Sequence, residues 1–109
     1  MSAVTIEITG RHVDVTDSMR DYAMRKVDRA IEGSPRLETV HVILDIQKYR
    51  HIAEVIVQGR DRLRLEVREI SEDMYAAIDL VSDKLQKRLQ KIKDKKTGKR
   101  IRAGGKVRV

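Results

Sequence analysis

The chain contains no cysteine, phenylalanine or tryptophan, one proline and only three tyrosines among its 109 residues. The absence of cysteine excludes disulfide bonds and thiolate metal sites, and it is typical of a reducing compartment, so we expect a cytoplasmic protein. Aromatic side chains are the platforms on which proteins stack unpaired bases, and here they make up 3% of the residues. Any nucleic-acid contact should therefore depend on phosphates and helical shape rather than on an aromatic surface.

Long apolar runs are also missing. No apolar segment approaches the roughly 18 residues that a membrane span needs, and residues 1–10 lack the basic stretch and apolar run of a secretory signal. We therefore expect neither a membrane span nor export. At 109 residues and 40% hydrophobic content, the chain suits one small domain with a modest core.

Acidic residues become scarce towards the end of the chain. From Lys84 to Val109 there are 12 Lys or Arg and a single acid, Asp94. This segment carries +11 while the net charge is +7, so residues 1–83 carry −4. Such asymmetry favours a polyanionic partner, most often nucleic acid and less often an anionic membrane surface, although a solubilising tail would have the same composition.

Hydrophobic periodicity predicts six secondary-structure elements. A two-residue period indicates strands near residues 4–9, 40–46, 53–57 and 63–67, and helical periods follow Thr16 and Ser71, both suitable N-caps. The short connections near 48–50 and 59–61 predict antiparallel hairpins, and the first helix allows a parallel crossover. The order β-α-β-β-β-α predicts an α+β domain: a four-stranded sheet with two helices packed on one face, resembling a double-stranded RNA-binding domain.

This domain should cover residues 1–96. From about Thr97, glycines interrupt a basic segment without helical period, so we predict that residues 97–109 form a flexible basic tail or linker.

Arrangements of residues typical of enzymes are scarce. His12, His41 and His51 are not at metal-ligand spacing, and neither Gly98-Lys99 nor Gly105-Lys106 has the upstream glycines or the following Ser or Thr of a phosphate-binding loop. Nothing selects an acid and base pair among the carboxylates. We expect no catalytic residue, metal, cofactor or small-molecule substrate, and a protein that acts by binding.

The second predicted helix carries a stripe of bases. At about 100° per residue, four of them fall in a sector about 60° wide, centred about 80° from the apolar seam, and a fifth lies beside them. A solubilising face would mix charges of both signs, whereas this one is almost purely basic over about 16 Å. We call these residues the basic ridge: Lys84, Lys87, Arg88, Lys91 and Lys95.

The first helix adds Arg20, Arg25, Lys26 and Arg29, diluted by Asp21 and Asp28, so that alone it is typical of an ordinary surface. Beside the second helix it would extend the basic surface. Tyr22 and Tyr75 are expected at the edge of the core.

Several of these stretches resemble a known family. Glu72-Asp73-Met74-Tyr75-Ala76-Ala77-Ile78-Asp79, then Asp83-Lys84-Leu85 and the following bases, are similar to the second helix of the ribosome hibernation promoting factor and ribosome-associated inhibitor family. Ile8-Thr9-Gly10-Arg11 and residues 15–20 resemble the start of the same domain. The resemblance covers roughly residues 4–96.

The resemblance implies a factor of stress or stationary phase that binds the small ribosomal subunit between head and body, on the path of messenger and transfer RNA, and inhibits translation without chemistry. It implies contacts with 16S ribosomal RNA, no membrane, and a monomer in this form. By matching position, the implied RNA-binding residues are Arg20, Arg25, Arg29, Lys84, Lys87, Arg88, Lys91 and Lys95.

Two departures leave details open. Long members of the family add a carboxy-terminal dimerisation domain, for which 109 residues leave no room, so the chain matches a short form or the amino-terminal part of a long one. Its end also lacks the acidic tail of the inhibitor branch. Two alternatives to ribosome binding remain: a general double-stranded RNA-binding module, and a regulator that binds protein through Arg62, Arg64 and Arg68 on the open face of the sheet.

Overall fold

The predicted order of elements is confirmed. A computed structural model describes residues 4–34 and 36–102, with residues 93–102 described by their backbone alone. Its six elements are β1 (Thr5–Arg11), α1 (Asp17–Ala30), β2 (Leu37–Gln47), β3 (Arg50–Gly59), β4 (Arg64–Ser71) and α2 (Met74–Arg102).

The four strands form one mixed sheet in the order β1-β2-β3-β4. β1 and β2 are parallel because α1 carries the chain back across the sheet, whereas the short turns on both sides of β3 make its two pairings antiparallel. The register aligns one apolar row across all four strands, consisting of Ile8, Val42, Val55 and Val67.

Both helices pack on this apolar face of the sheet. The predicted stripe of α2 is buried from Met74 to Leu89, with Ile92 half-buried at its end, and α1 contributes Met19, Ala23 and Val27 to the same core. The opposite face, which we call the open face, carries polar side chains interspersed with four isoleucines, Ile43, Ile52, Ile56 and Ile70.

The helix starts are set by short polar side chains. The Oγ1 of Thr16 accepts a hydrogen bond from the backbone N–H of Met19 at 3.1 Å, which confirms the predicted cap of α1. The predicted cap of α2 was wrong: Ser71 ends β4, and the Oδ2 of Asp73 accepts from the N–H of Ala76 at 3.0 Å. Asp73 directly precedes the first helical residue, so its carboxylate also lies at the positive end of the helix dipole.

The end of α2 also differs from the sequence prediction. The helix continues past Thr97, where the tail was predicted to begin, and ends at Arg102. Gly98 raises the cost of a helix but does not forbid it. The predicted tail residues 103–109 lie outside the described residues.

Candidate nucleic-acid interface

The basic ridge begins above the edge strand β4. The Nζ of Lys84 lies 2.9 Å from the Oε2 of Glu69 and 3.4 Å from the backbone carbonyl of Arg68. Both side chains of this ion pair are partly exposed, and such surface pairs contribute little to stability. The pair nevertheless neutralises part of the charge of Lys84, so this lysine is the least available member of the ridge.

The middle of the ridge has no such partner. Lys87, Arg88 and Lys91 are exposed, and no described carboxylate lies within 4.0 Å of their charged groups. The side chain of Lys95 lies outside the described residues. Three like charges on adjacent turns repel one another, so this part of α2 is prepared to gain from a polyanion.

On its other side α2 is joined to α1 by a polar cluster. The carboxylate of Asp79 accepts a hydrogen bond from the Tyr22 hydroxyl at 2.5 Å and pairs with the Nζ of Lys26 at 3.2 Å. The rings of Tyr22 and Tyr75 meet edge to face, 5.1 Å between centroids. These contacts fix one helix against the other, and they place Tyr22 and Tyr75 at the edge of the core.

The same hydrogen bond shifts the acidity of both of its members. It lowers the pKa of Asp79, an effect that Lys26 reinforces, and it is the main cause of the raised pKa of Tyr22. Each shift favours the protonation state found at neutral pH. The charge of Lys26 is therefore used within the fold and is not available to a partner.

The predicted RNA-binding bases of α1 are exposed. Arg20, Arg25 and Arg29 all lie on the surface, and the Arg25 guanidinium lies 5.6 Å from the centroid of the Tyr22 ring. Asp79 faces α1 whereas Lys84, about 140° further around α2, faces β4. Both helices pack on the same face of the sheet and contact each other, so the bases of α1 and the basic ridge are carried by neighbouring helices.

The open face holds a charged cluster that sequence analysis missed. Asp45 is only 1% exposed, and its carboxylate oxygens lie 2.9 Å from the Nδ1 of His12, 3.2 Å from the Nε2 of Gln47 and 3.5 Å from the Nε of Arg11. The hydrogen bond with His12 holds the pKa of Asp45 below its usual value, against the opposing effect of burial. Only the register of β1 against β2 brings these residues together, so no local sequence signal marks them.

We expect the Asp45 cluster to make stability depend on pH in the acid range. Because the pKa of Asp45 is lowered in the folded state, its contribution is complete above the unfolded pKa of about 4 and is lost as the pH falls through the folded pKa. Asp45→Asn should therefore be less stable than the parent at pH 7, and its stability should fall less between pH 5 and 3. Urea unfolding at each pH measures both effects.

The matched control for that experiment is Asp83→Asn. Asp83 is exposed and has no ion pair among the described residues, so this variant should keep the pH profile of the parent. Identical profiles for Asp45→Asn and the parent would contradict the role given to the cluster.

The described part of the chain offers no group of three His or acidic side chains placed to hold a metal ion. His12 pairs with Asp45, and His41 lies 2.8 Å from the hydroxyl of Thr9. None of the described helices is long and apolar enough to cross a membrane.

The fold and its surface define a small α+β domain whose uncompensated charge suits a polyanion. A family model described as Sigma 54 modulation protein / S30EA ribosomal protein matches residues 6–97. The chain belongs to this family, that of the ribosome hibernation promoting factors, as the resemblance implied.

Individual relatives agree with this assignment. A ribosome hibernation promoting factor from Azotobacter vinelandii is 38% identical over 92 residues, covering 83% of each chain. A ribosomal subunit interface protein from Coxiella burnetii has a similar structure, with a TM-score of 0.77 and 28% identity over 83% of this chain and 98% of that one. The amino-terminal domain of Thermus thermophilus Protein Y is also similar in structure, with a TM-score of 0.72 and 27% identity over 83% of this chain and 99% of that one.

Proposed function

We propose that this protein is a ribosome hibernation factor that binds the small ribosomal subunit and inhibits translation without chemistry. The observation that carries the proposal is the charge of Lys87, Arg88 and Lys91, which is exposed and has no ion-pair partner among the described side chains, on a helix of a chain that belongs to the hibernation factor family. Phosphates of 16S ribosomal RNA would neutralise this charge.

The arrangement suits backbone contact. The ridge spans about 16 Å along α2, a length over which an RNA strand presents several phosphates. The lysines and arginine of the ridge have flexible side chains, and no described aromatic ring lies beside them. This favours recognition of RNA charge and shape over recognition of nucleobase edges. Arg20, Arg25 and Arg29 on the neighbouring helix α1 supply further exposed bases.

Exposed bases on both helices of one compact domain favour a cleft as the binding site. A domain held by RNA through both helices would fill the space between head and body of the small subunit, which messenger and transfer RNA otherwise occupy. Inhibition then follows from exclusion alone, and it is fully reversible when the protein leaves.

Competition tests this proposal against general binding of double-stranded RNA. The protein should prefer intact small subunits to a free RNA duplex by orders of magnitude, because a cleft surrounds the domain and can contact more of its basic residues at once than a straight duplex can. Initiator transfer RNA should displace it from the small subunit. Equal affinity for subunit and duplex would contradict the proposal and favour the duplex-binding module.

A further inference from the structure

Tyr49 is the most exposed large hydrophobic residue in the described part of the chain. It is 89% exposed, whereas Tyr75 is 37% exposed and Tyr22 is half-buried, and those two pack against each other. The Tyr49 ring makes no ring contact and no hydrogen bond among the described residues. A ring that is 89% exposed contributes little to the core and leaves its face open to a partner.

Tyr49 lies at the tip of the β2–β3 hairpin between two bases. Gln47 pairs with Arg50 across the strands, which leaves Lys48 and Tyr49 as a two-residue turn. Lys48 has a φ of 58°, a conformation that Gly or Asn adopts at lower cost. Lys48 and Arg50 are exposed and have no ion pair among the described residues. The turn thus presents the Tyr49 ring between two basic side chains, Lys48 and Arg50. A turn with Gly or Asn at position 48 would be more stable.

We propose that this hairpin tip, Lys48-Tyr49-Arg50, stacks an unpaired base of ribosomal RNA on the Tyr49 ring. A tyrosine ring offers a π-face to any base, and cationic side chains on both sides neutralise the flanking phosphates. One ring is not an aromatic platform, so the tip adds a single-nucleotide contact to a surface that otherwise recognises charge. The proposal rests on the proposed function, of which it names an additional contact.

The tip lies far from the basic ridge. His51, next to the tip, pairs with Ser71 at the end of β4, and α2 begins just beyond at Met74. Lys91 is about 26 Å further along the helix axis. The ridge and the tip therefore contact RNA at opposite ends of the domain, and the tip requires an unpaired base that a continuous duplex lacks.

The first test compares Tyr49→Ala with Tyr49→Phe for affinity to intact small subunits. Loss of the ring should weaken binding about 10-fold, while Tyr49→Phe, which keeps the ring, should bind within about twofold of the parent. Both variants should keep the unfolding midpoint of the parent because the ring packs against nothing. Equal affinity of Tyr49→Ala and the parent would overturn the proposal.

The second test identifies the partner atom. With a photoreactive phenylalanine at position 49, cross-linking on the small subunit should reach a ribosomal RNA nucleotide. A cross-link to a ribosomal protein would overturn the proposal.

A third test is independent of the ribosome. In an NMR titration with a short single-stranded oligoribonucleotide, the Tyr49 ring protons should shift upfield, and the matched duplex should leave them unchanged. If the parent did not bind small subunits, the proposed function would be wrong. This titration would still show whether the Tyr49 ring stacks on an unpaired base. A Tyr49 ring that responds to neither RNA would overturn the proposal.

Discussion

Arg88→Glu combined with Lys91→Glu should lower affinity for the small subunit at least ~100-fold, because four units of charge change where the ridge has no ion-pair partner among the described side chains. If the parent neutralises about six phosphates, log K against log salt should have a slope on the order of −4 to −5. The variant should be flatter by about 2, since two contacts are lost. Both residues are exposed, so the free energy of unfolding should change by about 0.5 kcal/mol at most.

The matched control places the same charge change on the open face. Arg64→Glu with Arg68→Glu should cost less than about tenfold in affinity, through long-range repulsion alone. The control also tests the alternative of a regulator that binds protein through the open face. Such a regulator would lose its activity when Arg64 and Arg68 are reversed in charge. Arg64 already pairs with Glu66 at 2.6 Å, so the open face presents less free charge than its sequence indicates. Equal losses for both double variants, or unchanged binding of the ridge variant, would remove the ridge from the mechanism.

Leu85→Ala should lower the free energy of unfolding by about 2–5 kcal/mol. Leu85 lies one residue after the first lysine of the ridge and is 0% exposed, packed between α2 and the sheet. Its removal leaves a cavity at the contact that orients the ridge over β4. For a small domain of about 5–15 kcal/mol total stability this is a large fraction, and urea unfolding measures it directly.

Leu80→Ala is the control on the same helix. Leu80 is 45% exposed, so the same chemical change should cost about 0.5 kcal/mol or less. Helix propensity is nearly equal for the two substitutions, which leaves burial as the difference. Similar losses for both variants would contradict the packing of α2 described above.

The architecture was predictable because its causes are local. Hydrophobic periodicity shows which face of each element meets the core, as in the alternation at Val40, Val42 and Leu44 and the stripe from Met74 to Leu89. The short turns then leave few possible topologies. The basic ridge was predictable for the same reason, since helical geometry alone places its members together.

What escaped prediction depends on neighbours that are distant in sequence. The burial of Asp45 is set by the register of β1 on β2, and the pairing of Lys84 with Glu69 by the position of α2 over β4. The cap of α2 is Asp73 rather than the predicted Ser71. This shift of two residues is the usual error in placing a helix boundary from sequence.

The charge distribution along α2 can now be explained residue by residue. Its first acids have structural roles, because Asp73 caps the helix and Asp79 binds α1. Lys87, Arg88 and Lys91 make no such contacts among the described residues, and we propose that they bind ribosomal RNA.

Sedimentation of purified ribosomes with this protein through a sucrose gradient, alongside a cell-free translation assay, tests the central claim most directly. We predict that the protein travels with the small subunit at moderate salt and that protein synthesis stops at the same concentrations. Absence of the protein from the small-subunit fractions, with translation unaffected, would contradict the account.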